Sequence, residues 1–471
     1  MPTVHDRLVA PISVSYSITI RLSLTARATA VSELSVAVEK VGAVVNALDV
    51  TASGHDRLNI DVTVATRSGD HAEEVVAALA ALEGVVIGKV SDRTFLAHLG
   101  GKLEITPKVP LRNRDDLSMV YTPGVSRICL AIAQNPADAR RLTIKRNTIA
   151  VVSDGSAVLG LGNLGPLAAM PVMEGKAVLF KRFAGIDAFP LCLDTQDTEA
   201  IIATVKAIAP AFAGINLEDI AAPRCFEIEA RLRAELDIPV FHDDQHGTAI
   251  VVLAALTNAL TCVGKPMRDV RVVMSGAGAA GTAVLRLLLT AGVRHVVVCD
   301  VEGVVHPARP GLAPDLQWTA THTNPDGRTG SLRDVLAGAD VFIGLSAGNI
   351  LTADDIATMA PSAVVFALAN PVPEVDPVAA SRHAAVVATG SSDFVNQINN
   401  VLAFPGVFRG LLDAQSHHID EAMLLAAAFA LAGVVRPEEL NPAYIVPSVF
   451  NPDATTAVAA AVERAARGGL G

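Results

Sequence analysis

Residues 270–281 read VRVVMSGAGAAG, a β-branched strand running straight into Gly276-x-Gly278-x-x-Gly281 and then into the helical stretch 282–291. In that order the first glycine permits a tight turn and the second lets a pyrophosphate approach the backbone. The third lets the helix pack on the strand, and the helix N-terminus favours negative charge. Gly276, Ala277, Gly278, Ala279, Ala280 and Gly281 are therefore the expected cofactor-contacting residues. The next strand, 295–299, ends at Asp300, where a carboxylate can accept the hydroxyls of an adenosine ribose and repel a 2′-phosphate. The pattern predicts a dinucleotide, with NAD ahead of NADP and NADP left open. A bare glycine turn and a solvated strand-end aspartate are the bland alternatives.

The surrounding chain has the texture of an α/β protein. From Gly100 onward, short apolar strands at 149–152, 188–193, 213–217 and 238–241 alternate with helical stretches at 198–209 and 223–236. Strands alternating with helices predict a parallel sheet. A long helix at 249–262 leads into the glycine-rich unit, a Rossmann-type doubly wound domain. The first part of the chain differs. Residues 16–24 (YSITIRLSL), 44–50, 58–66 (LNIDVTVAT) and 85–90 read as strands, with Ser53, Gly54, His55 and Asp56 as a hairpin turn. Residues 30–41 and 72–82 have helical spacing. The order βαββαβ is the ferredoxin-like pattern, and this module resembles an ACT domain, a small-molecule-sensing attachment. The loop of Thr25, Ala26, Arg27, Ala28 and Thr29 lacks the glycine usual at ACT ligand sites, so assembly stands beside regulation as its expected role. The predicted division is 1–97, 98–249 and 250–471.

Two acidic pairs close successive strands, Glu218 with Asp219 after INL and Asp243 with Asp244 after PVFH. Ligands of a parallel sheet gather outside its carboxyl edge, so both pairs face one crevice. Glu218 and Asp219 can converge only if their strand has already ended. Carboxylates held together repel one another unless a cation intervenes, and an all-oxygen set without cysteine points to Mg²⁺ or Mn²⁺. Taken singly, either pair also reads as a solvated surface feature. His242 and His246 flank the second pair and are read as hydrogen-bonding or packing residues ahead of metal ligands.

Composition removes several classes. The 37 basic and 48 acidic side chains leave a net charge of −11, against a general nucleic-acid binder. Mean hydropathy is +0.43, yet the longest apolar run, 422–435, falls short of the ~20 residues that span a bilayer. No membrane association is expected. The opening residues MPTVHDRLVAPISVSYS lack a basic start followed by an apolar core, so no secretory signal is expected. The 5 cysteines form no local CxxC pair, which fits a reducing, cytoplasmic setting.

Taken together, YTPGV (121–125), SDGSAVLGLGNLG (153–165), EGKAVLFKRFAGID (174–187), INLED (215–219), FHDDQHGTA (241–249), GAGAAG (276–281), GLSAG (344–348), FALANPVPE (366–374) and NQINNVLAFPG (396–406) resemble malic enzymes of the compact bacterial type. The resemblance covers almost everything after the first module. It implies oxidative decarboxylation of malate to pyruvate and CO₂ with reduction of NAD, dependent on Mg²⁺ or Mn²⁺. It also implies a tyrosine acid at Tyr121, a lysine base at Lys176 and an aspartate beside it at Asp243. Glu218, Asp219 and Asp244 match the metal ligands. Ser346 and Asn370 match the cofactor side, and Asn370, Asn399 and Asn400 the amides that hold substrate. A homodimer or higher oligomer, and a small-molecule effector at the ACT-like module, are further implications.

On the residues alone, Lys176 between Gly175 and AVLF is either a buried base, its pKa lowered by burial, or a lysine snorkelling from a helix. Where eukaryotic members carry a carboxylate-clamping arginine, this chain has Ala157, leaving backbone amides near 160–165 and the asparagines as candidates. A malolactic-type lyase that retains NAD and yields lactate, and a non-catalytic sensor on the same scaffold, are the competing readings.

Overall fold

The computed structural model describes residues 12–468, so the opening stretch read for a secretory signal lies mostly outside the described residues. Two compact units divide after Lys102.

The first unit runs strand Ser13–Thr25, helix Ala30–Lys40, strands Val44–Ser53 and Arg57–Thr66, helix Gly69–Ala80 and strand Val86–Asp92. Its four strands are antiparallel, with Ser13–Thr25 between Arg57–Thr66 and Val86–Asp92, and Val44–Ser53 on the outer edge. Strand alternation sends Ile18, Ile20, Leu22 and Leu24 to one face, where they bury against Leu34, Val38, Val75 and Leu79 of the two helices. Each such side chain contributes roughly 1.5–3 kcal/mol. Ser68 starts the second helix by accepting the His71 N–H, which places its first turn before the expected residue 72.

In the second unit a four-stranded parallel sheet is ordered Asp187–Cys192, Thr148–Ser153, Gly214–Leu217, Val240–His242. The last strand starts later than expected because Pro239 has no N–H to give a ladder. A six-stranded sheet follows in the order Gly303–Val304, His295–Asp300, Arg271–Ser275, Val341–Gly344, Ala363–Ala367, Ala384–Thr389. All of its pairings are parallel except that of Gly303–Val304. This is the doubly wound order in which the direction of winding reverses between Arg271–Ser275 and Val341–Gly344, the switch point where a crevice opens.

Helix Thr248–Val263 is buried along almost its whole length. Its side chains share one hydrophobic cluster with Ile149 and Phe180 on one side and Val272, Met274 and Phe366 on the other. Both sheets therefore lean on the same helix, and their carboxyl edges are held by a common core. Among the described residues, 243–263 is the one helical stretch long and apolar enough to cross a membrane, and it is mostly buried inside the protein.

Candidate active site

Strand Gly214–Leu217 has ended before Glu218, and Asp219 adopts a left-handed φ of 54°. That twist removes the strand alternation that would send the two side chains to opposite faces. Oxygens of Glu218, Asp219 and Asp244 then all lie within 4.8 Å of one another. The Asp219 N–H donates to Asp244 Oδ2 at 2.8 Å, tying the two strand ends together. From helix Pro166–Ala184, the Lys176 ammonium reaches Asp243 Oδ2 at 2.5 Å and Glu218 Oε1 at 2.9 Å, and stands 4.3 Å from the Phe404 ring centre. The Asn400 amide donates to the same Asp243 oxygen, and Asn216 donates to Glu218 Oε2 at 2.8 Å. A Cβ at residue 247 would lie 1.9 Å from Asp243 Oδ1, so only Gly247 leaves room for that carboxylate.

Burial pushes the carboxyls of Glu218, Asp219 and Asp244 above the ordinary range, and the neighbouring acids push them further. Asp219 Oδ2 and Asp243 Oδ1 are buried without a hydrogen-bond partner. The donorless Asp219 oxygen, in a set of three converging carboxylates, fits a hard divalent cation. The expectation for Lys176 is corrected. Burial does oppose its charge, but Asp243 and Glu218 outweigh burial and raise its pKa above that of a free lysine. With no cation in the cluster, these acids favour the charged form of Lys176.

His246 turns away from the acidic cluster, whereas His242 Nδ1 lies 3.7 Å from Asp244 Oδ2. His246 Nε2 lies 2.7 Å from Glu229 Oε1, and Gln245 donates to Glu229 Oε2 at 3.1 Å. Glu229 is buried on helix Arg224–Glu235; burial opposes its charge, but His246 holds its carboxyl below the ordinary range. The turn Asp243–Gly247 thus faces two ways, with its acids toward the cluster and Gln245 and His246 anchored behind on Glu229. Burial pushes the His242 imidazole down to about 4, so it is neutral near pH 7. Sequence reasoning missed Glu229, which sits among other charged residues of an amphipathic helix with nothing local to single it out.

At the switch point the three glycines have separate steric reasons. A Cβ at Gly276 would meet Leu345 O at 2.4 Å and one at Gly281 would meet Gly276 O at 2.1 Å, whereas at Gly278 nothing lies within 4 Å. Gly278 therefore borders open space, as the approach of a pyrophosphate requires. The helix begins at Ala279, earlier than expected, with Gly278 as its extended N-cap and Ala277 and Ala280 on either side of that start. Ser346 Oγ lies 2.7 Å from Ser275 Oγ across the switch. Asn370 is exposed in the loop three residues beyond strand Ala363–Ala367, not at the strand end as expected, with Nδ2 3.4 Å from Leu368 O.

Other expected residues are placed differently. Asn399 Oδ1 accepts the Val401 N–H at 3.0 Å and so serves as a local cap. Asp300 does not stand as a free carboxylate, since Arg309 donates to both of its oxygens at 2.8 and 2.5 Å. Several amides of loop 155–165 are used internally, with Leu164 and Gly165 both donating to Gly155 O. Tyr121 follows helix Arg114–Val120 and is 64 % exposed, and the ion pairs of Lys176 go to the acids instead.

Residues 100–233 match the family described as "Malic enzyme, N-terminal domain" and residues 245–467 match "Malic enzyme, NAD binding domain". The chain is 56 % identical over 456 residues to an NAD-dependent malic enzyme of Geobacillus stearothermophilus, covering 97 % of this chain and 95 % of that one. It is 53 % identical to a bifunctional malic/malolactic enzyme of Bacillus subtilis, covering 78 % and 90 % of the two chains. A crystal structure of an NAD-dependent malic enzyme from Thermotoga maritima is similar with a TM-score of 0.76 and 48 % identity. That match spans 79 % of this chain and 99 % of that one.

Proposed function

This chain belongs to the malic enzyme family, and we propose that the acidic cluster, Lys176 and the glycine-rich turn act together in the NAD-dependent oxidative decarboxylation of malate to pyruvate and CO₂. The observation that carries the reading is the buried Lys176 ammonium between Asp243 and Glu218, beside three converging carboxylates. Glu218, Asp219 and Asp244 would hold Mg²⁺ or Mn²⁺. The cation, when bound, supplies the Lewis acidity that favours loss of CO₂ from a β-keto acid, and NAD supplies the hydride acceptor.

The residues of the chain divide the remaining work. Lys176 and Asp243 form the proton-holding pair for the malate C2 hydroxyl, and Asn400 fixes the Asp243 carboxylate that they share. Glu218, Asp219 and Asp244, once holding a cation, would present less negative charge to Lys176 and so would favour the neutral form a base needs. Ser346 and Asn370 border the cofactor side. Tyr121 is the acid that returns a proton to C3.

Tyr121 lies on an exposed arm, where Leu117, Met119, Val120 and Leu130 are also exposed. An apolar surface of that kind supports a homodimer or higher homo-oligomer, with the arm as the covered surface. Light scattering on the purified chain tests this, and a monomer at micromolar concentration overturns it. The first unit reads as an ACT-like regulatory or assembly domain of residues 1–97, ahead of 98–249 and 250–471. A groove between its helices, lined by Ser32, Glu33, Lys40 and Leu82, is a place for a small-molecule effector. All 5 cysteines are free, which supports a cytoplasmic setting.

The test of the reaction follows absorbance of the reduced nicotinamide with malate and Mn²⁺ while pyruvate and lactate are assayed. Metal-dependent NADH with equimolar pyruvate is expected. Lactate without NADH moves the reading to malolactic chemistry, and no product with metal bound supports a non-catalytic scaffold.

A further inference from the structure

Asp300 ends strand His295–Asp300, and its neighbour Cys299 pairs with Ser275, the residue before Gly276. Gly276 N–H donates to Cys299 O at 2.8 Å, so Asp300 and the glycine turn share one edge of the sheet, where the adenosine ribose of a dinucleotide lies. At that edge Arg309 Nη1 and Nη2 donate to Asp300 Oδ1 and Oδ2 at 2.8 and 2.5 Å, and the Glu302 N–H donates to Oδ1 at 2.9 Å. The two side chains are 11 % and 18 % exposed, and Arg309 Nε is buried without a hydrogen-bond partner. This is a fork-to-fork pair, with the Glu302 carboxylate a further 3.8 Å from Arg309 Nε on the exposed side.

The pair changes the basis of cofactor choice. A lone carboxylate would reject a 2′-phosphate by repulsion, but here the repulsion is offset by a guanidinium in contact with it. A guanidinium fork matches phosphate oxygens as well as it matches a carboxylate. We propose that Arg309 is a masked 2′-phosphate subsite, closed by Asp300, and that this masking sets the preference for NAD over NADP. In the native pair both Nη groups are spent on Asp300; Oδ1 also accepts the Glu302 N–H, so a lone pair on Oδ2 remains for a ribose hydroxyl. Removing the carboxylate exposes a partly buried, preorganised anion site at the position of the 2′-phosphate.

The proposal rests on the dinucleotide reading of Gly276–Gly281, and binding measurements separate the two. Calorimetric titration of the full chain with 5′-AMP and with 2′,5′-ADP supplies a readout independent of turnover. Asp300→Ala and Asp300→Ser are each expected to tighten 2′,5′-ADP by tenfold or more without tightening 5′-AMP. Adding Arg309→Gln in either background is expected to abolish that gain. No gain in the folded single variants, or a gain that survives loss of Arg309, overturns the proposal. Failure of the unaltered chain to bind both NADH and 5′-AMP overturns the dinucleotide reading and the proposal with it.

Discussion

The carboxylate of Glu374 accepts the backbone N–H of Ser346 at 3.0 Å, with none of the residue exposed to solvent. Its other oxygen accepts the Ala369 N–H, also at 3.0 Å. One buried side chain therefore joins the loop after strand Val341–Gly344 to the loop after strand Ala363–Ala367, the two segments that carry Ser346 and Asn370. A Cβ at Gly344 would lie 2.3 Å from Glu374 Cδ, so the glycine of GLSAG makes room for the staple.

Glu374→Gln keeps the shape but turns an amide NH₂ toward one of the two N–H donors. An unsatisfied buried donor costs about 1–3 kcal/mol. NADH affinity is expected to fall by about tenfold, read by fluorescence titration, while Mn²⁺ affinity is unchanged. Equal loss of both affinities would reduce Glu374 to a general packing role.

Removing Lys176 leaves Asp243 and Glu218 buried without their counter-charge. Breaking a buried pair costs about 3–5 kcal/mol. The metal-free Lys176→Ala protein is expected to melt well below the unaltered chain, and Mn²⁺ to recover part of the difference. Turnover is expected to fall by about 100-fold or more, the scale of a lost acid–base group. A variant with unchanged turnover removes Lys176 from the chemistry.

Glu229 is not one of the three converging carboxylates, yet it holds the back of the turn that presents Asp243 and Asp244. Outer partners of metal sites contribute about 10–100-fold to metal affinity. Glu229→Gln is expected to weaken Mn²⁺ binding by about tenfold, measured by calorimetry, with NADH affinity unchanged.

Asp340 accepts Lys265 Nζ at 2.8 Å and the Arg271 N–H at 2.9 Å, pinning the start of the central strand of the six-stranded sheet. Burial opposes its charge, but Lys265 and the Arg271 N–H hold the carboxyl below its ordinary value. A depressed folded-state pKa contributes stability that is present above the unfolded value of about 3.9 and is lost as pH falls through the folded one. Asp340→Asn is expected to cost about 1.5–3 kcal/mol in urea unfolding at pH 7. The gap between variant and parent should close as the medium is acidified; a gap independent of pH removes the ionic explanation.

The strands, the glycine turn and the acidic pairs were legible because each is written in residues close together in the chain. Alternation over 16–24, the spacing of Gly276, Gly278 and Gly281, and acids at the ends of short apolar strands are local patterns tied to backbone geometry. The helix at 279 began early because Gly278 was free to cap it, again a local matter. The electrostatics were decided elsewhere. Lys176 and Asp243 are 67 residues apart, and no local pattern states that burial would be outweighed by two carboxylates. Asp300 was legible as a strand-end acid, while Arg309, reached through a loop with no periodic signal, decided that it is paired. Glu229 and Glu374 look like ordinary polar residues of a helix and a turn, and only packing buried them against their partners. Sequence pattern determined which stretches become strand and which become helix. Tertiary structure decided which charges meet, because a charge is set by everything within a few ångströms of it, whatever the distance along the chain.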